Sequence, residues 1–300
     1  MVAANGARFH VTVAGDGPLV LFLHGFPEFW WAWRQQLVAL AGAGYRAAAM
    51  DLRGYGGSDK PPRGYDPMTL AADAAGVIRS LGERDAVIVG HALGGLVGWT
   101  AAVVHPRQVR RLASVSMPHP RRLRLAHLSD LRQMRASRHV LGYQAPLLPE
   151  RRLVADGGLE VLRLLHAWSG PGWPDGEAAT RYCQAIQIPG VAHSALESYR
   201  WGVRSVARPD GLRFARRMRS PVTVPTLQVQ GALDGPVTGR SATASDRYVE
   251  ADYRWHLMPG VGHFPHEEDA DTFSRVLIEW LDSDLDDEVG NHRGDGTVGS

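Results

Sequence analysis

Val87-Ile-Val-Gly-His-Ala-Leu-Gly-Gly-Leu-Val97 decides how the rest of this chain is read. An apolar, β-branched run ends at Gly90, and a helix-compatible apolar run starts at Leu93. Between them, Gly90-His91-Ala92-Leu93-Gly94 has the G-x-S-x-G spacing of a tight strand-to-helix turn, the nucleophile elbow. Glycines flank such a turn because a side chain two residues either side of its centre would collide with neighbouring backbone. The backbone signature is complete, with Gly95 in addition. The central residue is Ala92, which has no oxygen or sulfur to attack with. The scaffold for nucleophilic chemistry is therefore legible, and its first chemical group is missing.

The 300 residues around this turn are enough for one large α/β domain with an insertion, or for two domains. Apolar residues make up 44% of the chain, an ordinary globular value. No apolar run approaches the roughly 18 residues of a membrane span, so no membrane partner is expected. Met1 to Gly6 shows no basic segment leading into an apolar one, so no signal peptide is expected. Cys183 is the only cysteine, which excludes an intramolecular disulfide and suits a reducing, cytoplasmic setting. It is read as a small apolar filler. Arginines concentrate between Met117 and Arg219, but Lys60 is the only lysine, so the excess reads as compositional bias. With no recognised motif beside it, no nucleic-acid partner is expected. His10, His105 and His193 are scattered; no metal cluster and no cofactor are expected, and the oligomeric state stays open.

Taken in order, residues 7–13 and 19–23 read as strands around a Gly-Asp-Gly-Pro turn. The second runs into His24-Gly-Phe-Pro27, a turn able to aim the Phe26 N–H into a cleft as half of an oxyanion hole. Residues 29–41 have helical spacing of Trp30, Trp33, Leu37 and Leu40. Trp30 and Trp31 lie close enough in sequence to that turn to wall a pocket. Residues 45–50 are a strand leading into the glycine-punctuated loop 51–61, where Asp51 and Arg53 read as an ion pair tying the loop down. Residues 66–81 read as a helix stopped at Gly82, and 109–116 as a further strand. Alternating strands and helices predict βαβ units and a mostly parallel sheet. From residue 118 to about 220 the pattern turns helical, and strands resume at 226–230 and 253–258 before a last helix at 270–281. The expected division is a core at 1–117, a helical lid at 118–220, a second core part at 221–283 and a disordered acidic tail at 284–300.

The returning strands carry the other chemical groups. Asp234 lies just past one strand end, and His263 lies in the glycine-rich loop after the next. The order elbow, acid, histidine is that of one triad architecture and no other. In it Asp234 orients the imidazole, His263 is the general base, and the Leu93 N–H is the second oxyanion donor.

These stretches resemble the α/β-hydrolase superfamily, and within it the epoxide hydrolases, over about residues 7–282. The marks are His24-Gly-Phe-Pro-Glu28 before a Trp-rich helix, Asp51-Leu-Arg-Gly-Tyr-Gly-Gly-Ser-Asp59, the Gly-His-x-x-Gly-Gly elbow, Pro118-His-Pro120 and Gly262-His-Phe264. The resemblance implies an α/β-hydrolase fold: a mostly parallel central sheet, helices on both faces and a helical lid insertion. It implies an elbow aspartate that opens an epoxide, where this chain has Ala92. Two lid tyrosines then polarise the ring oxygen, and the counterpart of His263 activates water. Tyr199 matches the second tyrosine; the first falls on His139, five residues before Gln144, and a histidine can donate the same hydrogen bond. Leu93 stands where the family has tryptophan, and its N–H still serves. Tyr143, Leu147, Trp168 and Trp173 are expected to give the lid an apolar face for a small hydrophobic substrate. Three readings stay open: an epoxide hydrolase with its covalent chemistry lost or impaired, a dyad enzyme of the lyase or cofactor-free oxygenase type, and a small-ligand binding protein. Alanine at the strained elbow costs about 1–3 kcal/mol with no return from its side chain, which argues for a recent loss, an engineered change or continued use of the turn's N–H groups.

Overall fold

A computed structural model describes residues 1–283; the tail expected at 284–300 lies outside the described residues. The chain opens with a small antiparallel pair, β1 (Val2–Ala4) and β2 (Ala7–Phe9). The central sheet has seven strands: β3 (Val11–Ala14), β4 (Leu19–Leu23), β5 (Arg46–Met50), β6 (Ala86–His91), β7 (Val109–Val115), β8 (Thr226–Gly231) and β9 (Tyr253–Met258). Their spatial order is β3-β5-β4-β6-β7-β8-β9, and only β3 runs antiparallel to its neighbour. β4 and β6 are buried along their whole length, as continuous apolar strands covered on both faces must be.

From β4 the chain steps outward to β5, then returns past β4 to β6 and proceeds the other way. With right-handed crossovers this puts Arg34–Gly42 on one face, packed with Ala270–Asp282, and Pro67–Ser80 with Leu93–Val104 on the other. The reversal makes β4 and β6 a switch point, where loops leave the carboxyl ends in opposite directions and open a crevice. The loop at His24–Glu28 and the turn at Ala92 both lie there.

The strand expected over 7–13 is broken at His10, because its N–H donates to Ser58 Oγ at 3.0 Å and its carbonyl accepts from Asp51 at 2.9 Å. The helix expected over 29–41 begins as a 3₁₀ turn, Trp30–Trp33, before the α-helix starts at Arg34. There the Trp30 N–H is drawn to Asp51 Oδ1 at 2.7 Å. Asp66 caps Pro67–Ser80 through the Thr69 N–H, with Pro67 preset for the first turn. Every regular element from Pro120 to Arg217 is helical, and Val222 onward rejoins the core. Among the described residues no helix is long and apolar enough to cross a membrane.

Two glycines have no substitute at the central turn. A Cβ on Gly94 would overlap the Leu23 carbonyl oxygen, and one on Gly90 would overlap Gly94 O. Both obstacles are main chain, one in β4 and the other in the first turn of the helix Leu93–Val104, and cannot swing aside. Gly94→Ala is therefore expected to destabilise the protein by at least about 1–3 kcal/mol, read as a lower urea midpoint at unchanged slope. An unchanged midpoint would contradict this packing.

Candidate active site

Ala92 joins β6 to its helix at φ 45° and ψ −107°, a conformation that costs an alanine about 1–3 kcal/mol. It is held by its own N–H to Val115 O at 3.0 Å and by Gly94 N–H to His24 O at 3.1 Å. The next strand's loop presses on it: a Cβ on Gly25 would sit 3.0 Å from the Ala92 methyl. Phe26 follows Gly25, and Leu93 follows Ala92. The main-chain N–H groups of these two residues donate to no acceptor among the described residues. These two donors belong to the residues that follow Gly25 and Ala92, and N–H groups without an acceptor are what stabilising an oxygen anion requires.

Asp234 leaves the end of β8, and His263 leaves the loop after β9. Asp234 Oδ2 lies 2.9 Å from His263 Nδ1 and also accepts from Gln230 Nε2 at 2.6 Å, while Oδ1 accepts from the Val237 N–H at 2.8 Å. A carboxylate can only accept here, so Nδ1 carries a proton, and in the neutral imidazole Nε2 is then the nitrogen with the lone pair. The histidine loop is clamped from both sides. Glu268 accepts the Gly262 and Gly170 N–H groups at 2.7 Å each and the Phe264 N–H at 2.9 Å. The His263 N–H donates to Trp168 O at 2.8 Å, so the helical insertion and this loop hold each other.

Beneath Ala92 lies a cluster that the sequence did not reveal. Glu28 Oε2 accepts the Gly25 N–H at 2.8 Å and faces His91 Nδ1 at 2.7 Å, and His91 Nε2 lies 2.8 Å from His263 O. Both His91 partners are acceptors, so the ring holds both protons and is a buried cation. Burial opposes that charge, but the Glu28 carboxylate prevails and raises the His91 pKa. Burial likewise opposes the Glu28 charge, yet His91 and His266 hold its carboxyl well below the usual range. His266 Nε2 lies 3.0 Å from Glu28 Oε1, and burial pushes this imidazole down to about 4, so it is neutral. Glu28, His91 and His266 meet the spacing of metal ligands. A doubly protonated His91 has no lone pair to offer, so the cluster reads as an ion pair joining the Gly25 loop, β6 and the His263 loop. The one available signal was a charged Glu28 between apolar stretches.

Against Phe26 and His263 the insertion supplies aromatic walls. Tyr143 and Tyr199 stand edge to face at 5.2 Å, and both contact the Phe26 ring, at 6.0 and 5.6 Å. Trp168 lies 5.7 Å from the His263 ring and 5.0 Å from His139. The Tyr143 hydroxyl is buried without a partner among the described residues, and burial raises the pKa of both phenols, keeping them protonated donors. His139 differs from the expected donor. Its Nδ1 lies 3.2 Å from Ala136 O, which can only accept, so Nδ1 carries the proton and Nε2 is an acceptor. Burial lowers its pKa to about 4 and keeps it neutral. Tyr143, expected only as a wall, places the second phenol beside Tyr199.

The tryptophans expected to wall the site lie elsewhere. Trp31 packs between Phe29 and Tyr182 with Arg34 over its face, and Trp30 contacts His10 and Phe29; neither ring meets the Tyr143–Tyr199 pair. Asp51 and Arg53 are not paired with each other. Arg53 forks onto Asp73 at 2.6 and 2.7 Å, and Asp51 accepts from Trp30 and Gly57. Alternation of apolar and polar residues could not tell which carboxylate Arg53 would reach.

The chain belongs to the alpha/beta hydrolase fold family, whose profile matches residues 18–270. Within it, the relatives include epoxide hydrolases. Epoxide hydrolase 3 of Xenopus tropicalis is 33% identical over 94% of this chain and 76% of its own length. AB hydrolase superfamily protein YfhM of Bacillus subtilis is 30% identical over 93% of this chain and 96% of its own. Among solved structures, the Bacillus megaterium epoxide hydrolase bound to an inhibitor superposes with a TM-score of 0.83 at 25% identity, covering 94% of this chain and 99% of that one.

Proposed function

We propose that this epoxide-hydrolase-like protein binds a small hydrophobic molecule between its core and a lid spanning residues 118–220, and that its covalent chemistry is lost or impaired at Ala92. The observation that carries the reading is the histidine–carboxylate contact of 2.9 Å retained opposite a strained turn that holds no nucleophile. Tyr143 and Tyr199 donate to the ligand oxygen, and Phe26 and Leu93 N–H form the oxyanion hole. His263 Nε2 is the base, held in its tautomer by Asp234. Trp168 and the phenol rings enclose the apolar part of the ligand. A cytoplasmic location and a partner other than nucleic acid or membrane belong to the same reading.

The free Nε2 of His263 also supports a second reading, in which the His263–Asp234 dyad deprotonates a bound substrate without a covalent intermediate. The test presents the unaltered protein with styrene oxide, p-nitrophenyl acetate and oxidisable heteroaromatics. The expected result is saturable quenching of tryptophan fluorescence by the aryl ligands, with no diol and no acyl-enzyme burst. Steady diol formation would contradict the loss at Ala92, and consumption of a heteroaromatic that stops in His263→Gln would establish the dyad reading. Absence of saturable binding would remove the cleft.

A further inference from the structure

We infer that His139 determines ligand specificity as a hydrogen-bond acceptor, so that the cleft selects small apolar molecules carrying an O–H or N–H donor over those offering only an ether-type oxygen. The inference rests on the reading that the cleft binds a small hydrophobic ligand, and it names the class.

The tautomer follows from local structure. Ala136 closes the Leu131–Ala136 helix, whose final carbonyls lack intrahelical donors. The His139 Nδ1–H supplies one at 3.2 Å, to the Ala136 carbonyl. The ring is therefore fixed with Nε2 bearing its lone pair. It belongs to the aromatic wall over the site, 5.0 Å from Trp168, 5.7 Å from Tyr143 and 6.1 Å from Tyr199. His139 Nε2 has no donor among the described residues.

The polar equipment of the wall is thus two phenol donors and one imidazole acceptor. An epoxide or ether oxygen takes the phenols and offers His139 Nε2 no donor. An alcohol oxygen accepts from both phenols through its two lone pairs and donates its O–H to Nε2, so every polar group is paired. Sites built to pair a ligand donor reject analogues lacking it, because the protein group is then stranded.

The experiment uses the unaltered protein with benzyl alcohol and benzyl methyl ether, which share the arene and the accepting oxygen and differ in the donor. Calorimetric titration is expected to give about tenfold tighter binding of the alcohol, the upper range for one hydrogen bond. His139→Phe should bring the two within about twofold, mainly by weakening the alcohol. His139→Tyr turns the acceptor into a donor and should remove or reverse the preference. Nitrogen NMR of the unaltered protein gives a readout without substitution: the Nε2 resonance shifts on adding the alcohol and stays put with the ether. Equal affinities for the unaltered protein would overturn the inference while leaving the cleft reading standing. A preference that persists in His139→Phe would also overturn it, assigning the donor to another acceptor such as His263 Nε2. Binding of neither ligand would overturn both readings together.

Discussion

Ala92→Asp is expected to produce diol from styrene oxide where the unaltered chain produces none, with a gain of at least about 10²-fold over the background rate. The turn after β6 sets side chain 92 beside the Gly25–Phe26 loop, whose Phe26 ring meets both Tyr143 and Tyr199. An aspartate oxygen there attacks a ring carbon, the ring C–O bond breaks, and a phenol gives its proton to the departing oxygen. His263 then takes a proton from water, which attacks the ester carbonyl, and Phe26 and Leu93 N–H hold the oxyanion until the ester C–O bond breaks; the departing alkoxide takes the proton of the new carboxyl group to give the diol, and the proton on His263 passes through solvent to the phenolate. The turn itself need not change, since aspartate tolerates positive φ at least as well as alanine. Ala92→Ser is the discriminating control: served by His263, it should favour p-nitrophenyl acetate over the epoxide. Equal epoxide turnover by both variants would show that the carboxylate is not what the site lacks.

Glu28→Gln is expected to cost about 3–5 kcal/mol, because it leaves the buried His91 cation without its counter-charge. Glu28 and His91 are both fully buried, and Glu28 also holds the Gly25 N–H beside Ala92. The pH dependence has a definite sign. The depressed Glu28 carboxyl contributes stability that is present above its ordinary range and lost as pH falls through its lowered folded value. The raised His91 contributes stability that is present below the ordinary histidine range and lost as pH rises through its elevated folded value. Urea midpoints across pH should therefore show a plateau bounded on both sides, which Glu28→Gln lowers and flattens. A cost below about 1 kcal/mol would show that the pair contributes little net and that His91 is neutral.

The fold was legible because its signals are local. β-branched runs alternate with helical spacing, as the parallel sheet requires, and Gly90 and Gly94 mark the turn where β4 and the start of the following helix crowd the backbone. Strand ends fell within a residue or two, except at His10, where a side-chain contact to Ser58 breaks the strand from 48 positions away. Site geometry depends on such distant pairings and was less visible. Nothing in the spacing of Arg53 distinguished Asp51 from Asp73, and Trp31 looked like a pocket wall until Tyr182 and Arg34 closed around it. The protonation of His139 and His91 was out of reach of the sequence, because each is fixed by which carbonyl or carboxylate the fold brings within about 3 Å.

The most direct test of an intact site lacking only its carboxylate is the intact-protein mass spectrum of Ala92→Asp/His263→Gln after incubation with styrene oxide. The account predicts a mass increase of one epoxide per chain, mapping to position 92, because the ester forms and the base that would free it is gone. Folded protein of unchanged mass, across a panel of aryl and alkyl epoxides, would contradict it.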